Sequence, residues 1–105
     1  MRNDFADLGR FTDVSLLVLL SLADGQKHGY AMLEDIERFS GTSLEPGTLY
    51  GALMRLEKKG WIESLPAEDR RHPYRLTAAG ATALREQLAT LLRIVSTGVE
   101  RLALG

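Results

Sequence analysis

The sequence has no cysteine, which excludes disulfides, thiolate metal sites and cysteine nucleophiles together. Its two histidines, His28 and His72, lie far apart, and neither has a carboxylate at ligand spacing, so no metal site is expected. Long hydrophobic runs are also missing. The most apolar stretch, residues 14–23, is about half the roughly 20 residues a membrane helix needs. The polar start Met1-Arg2-Asn3-Asp4 leads into no apolar leader, and a cytoplasmic protein with no membrane partner is expected. Charge of one sign is lacking: 13 Lys and Arg face 14 Asp and Glu, a net charge of -1. Total charge therefore gives no argument for a polyanionic partner. No Gly-x-Ser-x-Gly occurs, and no lysine follows Gly47 to make a phosphate-binding loop with Gly41. An enzyme is not expected, nor is a cofactor.

What is present is 105 residues with ordinary apolar content, enough for one small domain and an appendage. Phe5, Leu8 and Phe11 are spaced for a short amphipathic helix. Thr12 or Asp13 offers a cap for a helix that is apolar nearly all round and closes at Asp24-Gly25. A second helix is expected from His28-Gly29 to Phe39 or Ser40, stopped by Gly41, with Leu33, Ile36 and Phe39 inward. Tyr30 is expected in its core and His28 at its start. Pro46 suits the first position of a third helix, Leu49, Leu53 and Leu56 form its apolar stripe, and Gly60 ends it. The period then changes. Residues 61–65 read as a strand, 66–69 as a polar turn with a loose tip, and 71–76 as a return strand limited by Pro73. Trp61 is expected to pack between hairpin and helices. Thr77 caps a last helix reaching towards Leu102, roughly 38 Å long.

This order predicts a mainly α fold with a small β-hairpin, a winged helix-turn-helix over residues 1–76, and a C-terminal dimerisation helix over 77–105. The last helix is longer than the body it would cover. Its stripe, Leu84, Leu88, Leu91, Leu92, Val95, Val99 and Leu102, is expected at a homodimer interface, with Phe5, Leu8 and Phe11 beside it.

Over residues 16–80 the sequence resembles the PadR-like transcriptional regulators. The likeness is carried by Leu17-Val18-Leu19-Leu20-Ser21-Leu22 with Gly25, and by His28-Gly29-Tyr30. It continues in Pro46-Gly47-Thr48-Leu49-Tyr50 with Leu53, Leu56 and Gly60-Trp61-Ile62-Glu63-Ser64, then in Tyr74-Arg75-Leu76-Thr77 with Gly80. The resemblance implies a homodimeric winged-helix protein that binds double-stranded DNA, usually a repressor, which in many members a small and often aromatic effector releases. Three places depart from the family pattern: Glu45 replaces a small hydroxyl residue, Gly51 replaces a long polar one, and residues 67–73 contain no glycine.

On the third helix, Thr48, Gly51, Ala52 and Arg55 are expected opposite the leucine stripe, with Gly47 allowing close backbone approach. Glu45 is expected to cap that helix through its charge. In the wing, Arg70, Arg71, His72 and Arg75 concentrate positive charge. Tyr50 and Tyr74 offer hydroxyls to phosphate. The expected DNA-binding set is Gly47, Thr48, Tyr50, Gly51, Arg55, Arg70, Arg71, His72 and Tyr74.

No aromatic residue follows Tyr74, so a pocket for a flat effector would draw on Phe5, Phe11 or Trp61. An aliphatic effector, a pocket against the N-terminal segment, or no effector all stay open. The charge is unevenly spread: residues 1–44 carry four positive and seven negative groups, 45–75 six and five, and 76–105 three and two. Positive charge shifts modestly towards the expected reading helix, wing and tail. Glu45, Gly51 and the near-neutral total keep a second reading alive, a winged-helix protein-interaction module without DNA binding.

Overall fold

The computed structural model describes residues 13–103. Phe5, Leu8 and Phe11 lie outside them. Helix α1 (Val14–Leu22) starts where the Asp13 carboxylate accepts a 2.8 Å hydrogen bond from the Ser15 amide. It closes on Ala23 in right-handed geometry, ahead of the expected Asp24-Gly25 stop, so Asp24 and not Gly25 takes the first position past the cap. Leu17, Val18, Leu19 and Leu22 are buried, and α1 touches α2 (Gly29–Ser40), α3 (Pro46–Lys59) and α4 (Ala78–Arg101). A helix apolar on all sides can be central in this way. Ser21, buried among them, donates from Oγ to Asp35 Oδ2 at 2.8 Å and ties α1 to α2.

Gly41 and Gly60 close α2 and α3 in left-handed geometry, at φ 76° and 79°, as their glycines predict. Met32 and Ile36 carry the buried face of α2. Tyr30 lies half a turn round from Met32 and is 64% exposed, so its expected place in the core is overturned. Phe39 shares the Met32 stripe but sits in the last turn, outside the core cluster, and is exposed. On α3 the leucine stripe is buried as expected. Ala52 is buried too, against expectation, because α3 packs on α1, α2 and β1 (Ile62–Ser64) at once and needs a wider inward arc. Glu45 is the N-cap of α3, yet its side chain makes no capping hydrogen bond.

Strand β1 pairs antiparallel with β2 (Tyr74–Leu76), placing Ile62 opposite Leu76 and Ser64 opposite Tyr74. Both strands are shorter than predicted. On its other side β2 is held by Lys27: the two residues exchange backbone hydrogen bonds of 3.1 and 2.9 Å between Lys27 and Tyr74. The tip is not loose. Glu68 and Arg71 exchange two backbone hydrogen bonds of 2.7 and 2.9 Å around Asp69 and Arg70, at φ 50° and 70°. That is a two-residue hairpin turn of the left-handed kind, built without the glycine that normally marks it.

Helix α4 begins on Thr77, whose Oγ1 accepts from the Gly80 amide at 3.0 Å and donates to the Gly60 carbonyl at 2.6 Å. A Cβ on Gly80 would stand 1.9 Å from the Trp61 carbonyl oxygen, so the first turn of α4 lies directly on the start of the hairpin. The 24 residues of α4 span about 36 Å, and Gly98 does not interrupt them. The described part of the molecule measures 51 × 33 × 20 Å. No helix among the described residues is long and apolar enough to cross a membrane.

Candidate nucleic-acid interface

The solvent face of α3 is unusual in what it omits. Pro46 at the first helical position has no amide proton, leaving the Gly47 and Thr48 amides as the first donors without intrahelical acceptors. A Cβ on Gly47 would meet nothing within 4 Å, and one on Gly51 would meet only the Arg55 guanidinium, at 3.6 Å. The two glycines thus leave a strip free of side chains down the exposed face. Thr48 and Arg55 border it on one edge, and the half-exposed Tyr50 on the other. Lys58 also lies on this face, as its place away from the leucine stripe predicts, and Met54, exposed at 73%, joins it without having been expected there.

The wing bends back towards α3 and the start of α2. His28, Gly29 and Tyr30, Tyr50 of α3, and Arg70, Arg71, His72 and Tyr74 of the wing line one open cleft of about 230 Å³. Five predicted DNA-binding residues therefore meet in one place: Tyr50, Arg70, Arg71, His72 and Tyr74. The other four, Gly47, Thr48, Gly51 and Arg55, lie on α3. His28, Gly29 and Tyr30 were not predicted for this site. The signal was present in Tyr30, which stands at the very start of α2, where little of the body covers a side chain. Gly29 has a local reason as well: a Cβ there would stand 2.6 Å from the Tyr50 hydroxyl, so the phenol lies across the start of α2 only because this residue is glycine.

The electrostatics sort the wing cations. Arg75 is held by Glu63 on the partner strand, with Nε 2.6 Å from Oε1, and so leaves the expected basic cluster. Among the described residues, no carboxylate holds Arg70 or Arg71, although Glu68 and Asp69 adjoin them. His72 donates from Nδ1 to the Leu65 carbonyl at 3.1 Å, which leaves Nε2 for another partner. Burial pushes the Tyr74 hydroxyl above the ordinary tyrosine range, and Glu57 and Tyr50 add to the effect. Tyr74 thus keeps its proton and stays a donor to an anion. Among the described residues no group of three or more His, Asp or Glu could hold a metal ion.

The α4 stripe divides. Leu84 is buried in the protomer's own core at 5% exposure, so it is not part of a surface that a second subunit could cover. Leu91 is half-buried. Leu88, Leu92, Val95, Val99 and Leu102 are exposed, as is Ile94, which was not predicted. Trp61 packs partly against the core as expected, with the Lys59 ammonium 4.7 Å from its ring centre.

Residues 18–86 match the transcriptional regulator PadR-like family. The chain belongs to this family. PadR-like proteins are transcriptional regulators, not enzymes. A relative, the transcriptional regulator Rv3488 of Mycobacterium tuberculosis, is 38% identical over 81 residues, covering 74% of this chain and 75% of that protein. An uncharacterized 37.1 kDa protein in transposon TN4556 of Streptomyces fradiae is 45% identical over 85 residues, 81% of this chain. The match spans only 25% of that relative's length. Among solved structures, a PadR family transcription regulator from hypervirulent Clostridium difficile R20291 superposes with a TM-score of 0.72 at 27% identity. That match covers 88% of this chain and 98% of the other. The winged helix and the long C-terminal helix are therefore the fold of a PadR-like regulator.

Proposed function

We propose that this PadR-like chain binds an inverted-repeat DNA operator as a homodimer in the cytoplasm and represses transcription by occupying it. The observation that carries this reading is the cleft that Arg70 and Arg71, free of carboxylates among the described residues, line together with Tyr30, Tyr50 and Tyr74 next to α3. Such a cleft suits a phosphodiester backbone: guanidinium groups neutralise it and hydroxyls fix its position. The glycine strip of α3 lets the helix backbone approach the floor of the major groove while the wing holds the strand beside it.

The exposed apolar stripe of α4 supports the dimer. Leu88, Leu92, Val95 and Val99 repeat along one side of the helix beyond the core, and a second copy of the same helix covers them with like chemistry. Two α3 helices then enter successive major grooves roughly 34–36 Å apart. An effector that releases the DNA would act where α4 leaves the body. A groove of about 210 Å³ there is lined by Leu16, Leu19, Trp61, Ala83 and Gln87, with Asp13, Ser15 and Lys59 at hand.

The test is a mobility-shift titration on a duplex selected from a random pool. Replacing Arg70 and Arg71 by alanine is expected to reduce the slope of log affinity against log salt by about 1.8, near 0.9 for each lost phosphate contact. Absence of any shifted duplex at low salt would falsify the reading and leave a protein-interaction module in its place. A reporter placed behind the selected site tests the direction: expression should fall when the protein is supplied.

A further inference from the structure

Met54 is the most exposed large apolar side chain among the described residues, at 73%. It belongs to no part of the core. At about 100° per residue, it falls within about 60° of Gly51 on the solvent face of α3, beside the strip left bare by Gly47 and Gly51. Arg55 and Lys58 project from the same face. Whatever covers Met54 must therefore accept two cations and come close to the helix backbone.

The floor of a DNA major groove meets those conditions and offers one apolar group, the C5-methyl of a pyrimidine. Gly47 and Gly51 add no side chain to the strip, so Met54 is the apolar group nearest it, beside the Arg55 and Lys58 cations. Methionine suits contact with that methyl, because its flexible, polarisable thioether adapts to a small methyl surface. We propose that Met54 reads a pyrimidine C5-methyl group in each half-site. The proposal rests on the DNA-binding reading above and adds the base feature that this chain recognises. Thymine and 5-methylcytosine both present the group.

The test uses the full chain and a duplex selected from a random pool. Each thymine is replaced in turn by deoxyuridine, which removes only the methyl. At one thymine per half-site, the parent protein should lose about fourfold in affinity, the yield of burying one methyl group. Met54→Ala should bind the parent duplex more weakly and show no further loss with deoxyuridine. Met54→Leu should regain the sensitivity. If deoxyuridine is neutral at every thymine, each cytosine is replaced by 5-methylcytosine. A gain that Met54→Ala abolishes then supports the proposal with methylcytosine as the source. Methyl groups neutral at every position, or an undiminished penalty in Met54→Ala, overturn it while leaving DNA binding intact. Failure to select any duplex overturns both. Because Met54 is exposed, thermal melting of the variants should match the parent and separate reading from folding.

Discussion

Two arms leave the helical body of this protein from one root, and they differ in what they expose. The wing leaves with charge: Arg70, Arg71 and His72 cluster around a turn whose central residues sit at positive φ. Helix α4 leaves with hydrocarbon: beyond Leu84 its exposed residues include Leu88, Leu92, Ile94, Val95, Val99 and Leu102. The root between them is tightly built. Thr77 bonds the Gly60 carbonyl, the Thr77 amide bonds the Trp61 carbonyl at 3.0 Å, and Gly80 lies against that same carbonyl. An arm that cannot bury its surface within the protomer advertises its partner through what it leaves bare. A cationic arm suits a polyanion, and an apolar arm suits another apolar helix.

The largest effect should come from breaking the shared root. Gly80→Ala forces a methyl group into a backbone carbonyl, which no side-chain rotation relieves. We expect a loss of at least about 3 kcal/mol, read as a fall in the urea midpoint, with both arms affected. An unchanged midpoint would show that α4 is not seated on the hairpin this way.

A paired change along α4 sharpens the contrast between its near and far ends. Leu84→Ala should cost about 2–5 kcal/mol of stability by leaving a cavity in the protomer core. Leu92→Glu, at a site 66% exposed, should leave helix content intact and shift sedimentation from dimer to monomer. If Leu92→Glu instead unfolds the chain, or leaves its assembly unchanged, the division of α4 into two ends is wrong.

The smallest effect belongs to the wing. Arg70 holds a left-handed conformation that costs a non-glycine residue about 1 kcal/mol or somewhat more. Arg70→Gly should therefore raise stability by up to about 1 kcal/mol while lowering the salt slope of DNA binding by about 0.9. A gain in stability together with a loss in binding would mark a turn strained for the sake of its guanidinium.

Local punctuation was readable along the chain. Gly41 and Gly60 end helices by going left-handed, Pro46 opens one, and Thr77 caps another, because each acts on neighbours a few residues away. The wing turn was misplaced for the same reason in reverse: Asp69 and Arg70 adopt a glycine-like conformation with no glycine to announce it. The candidate site was half legible. Cations and tyrosines could be picked out by type, but Arg75 could not be removed without knowing that Glu63 lies opposite it. Tyr30 was placed in the core because an apolar residue on a helix is assigned inward until the packing of that helix is known, and Met54 fell outside both the leucine stripe and the polar face that spacing picks out.

By itself the sequence determined the order of elements, most helix ends and the excess length of α4, which follow from hydrophobic period and capping residues, while its short motifs carry the resemblance to the family. Only the tertiary structure decided which residues share a surface. Lys27 against Tyr74, Gly29 beneath Tyr50, Gly80 against Trp61 and Leu84 inside the protomer are contacts between distant parts of the chain. Such contacts are set by how whole helices pack, and no local spacing encodes them.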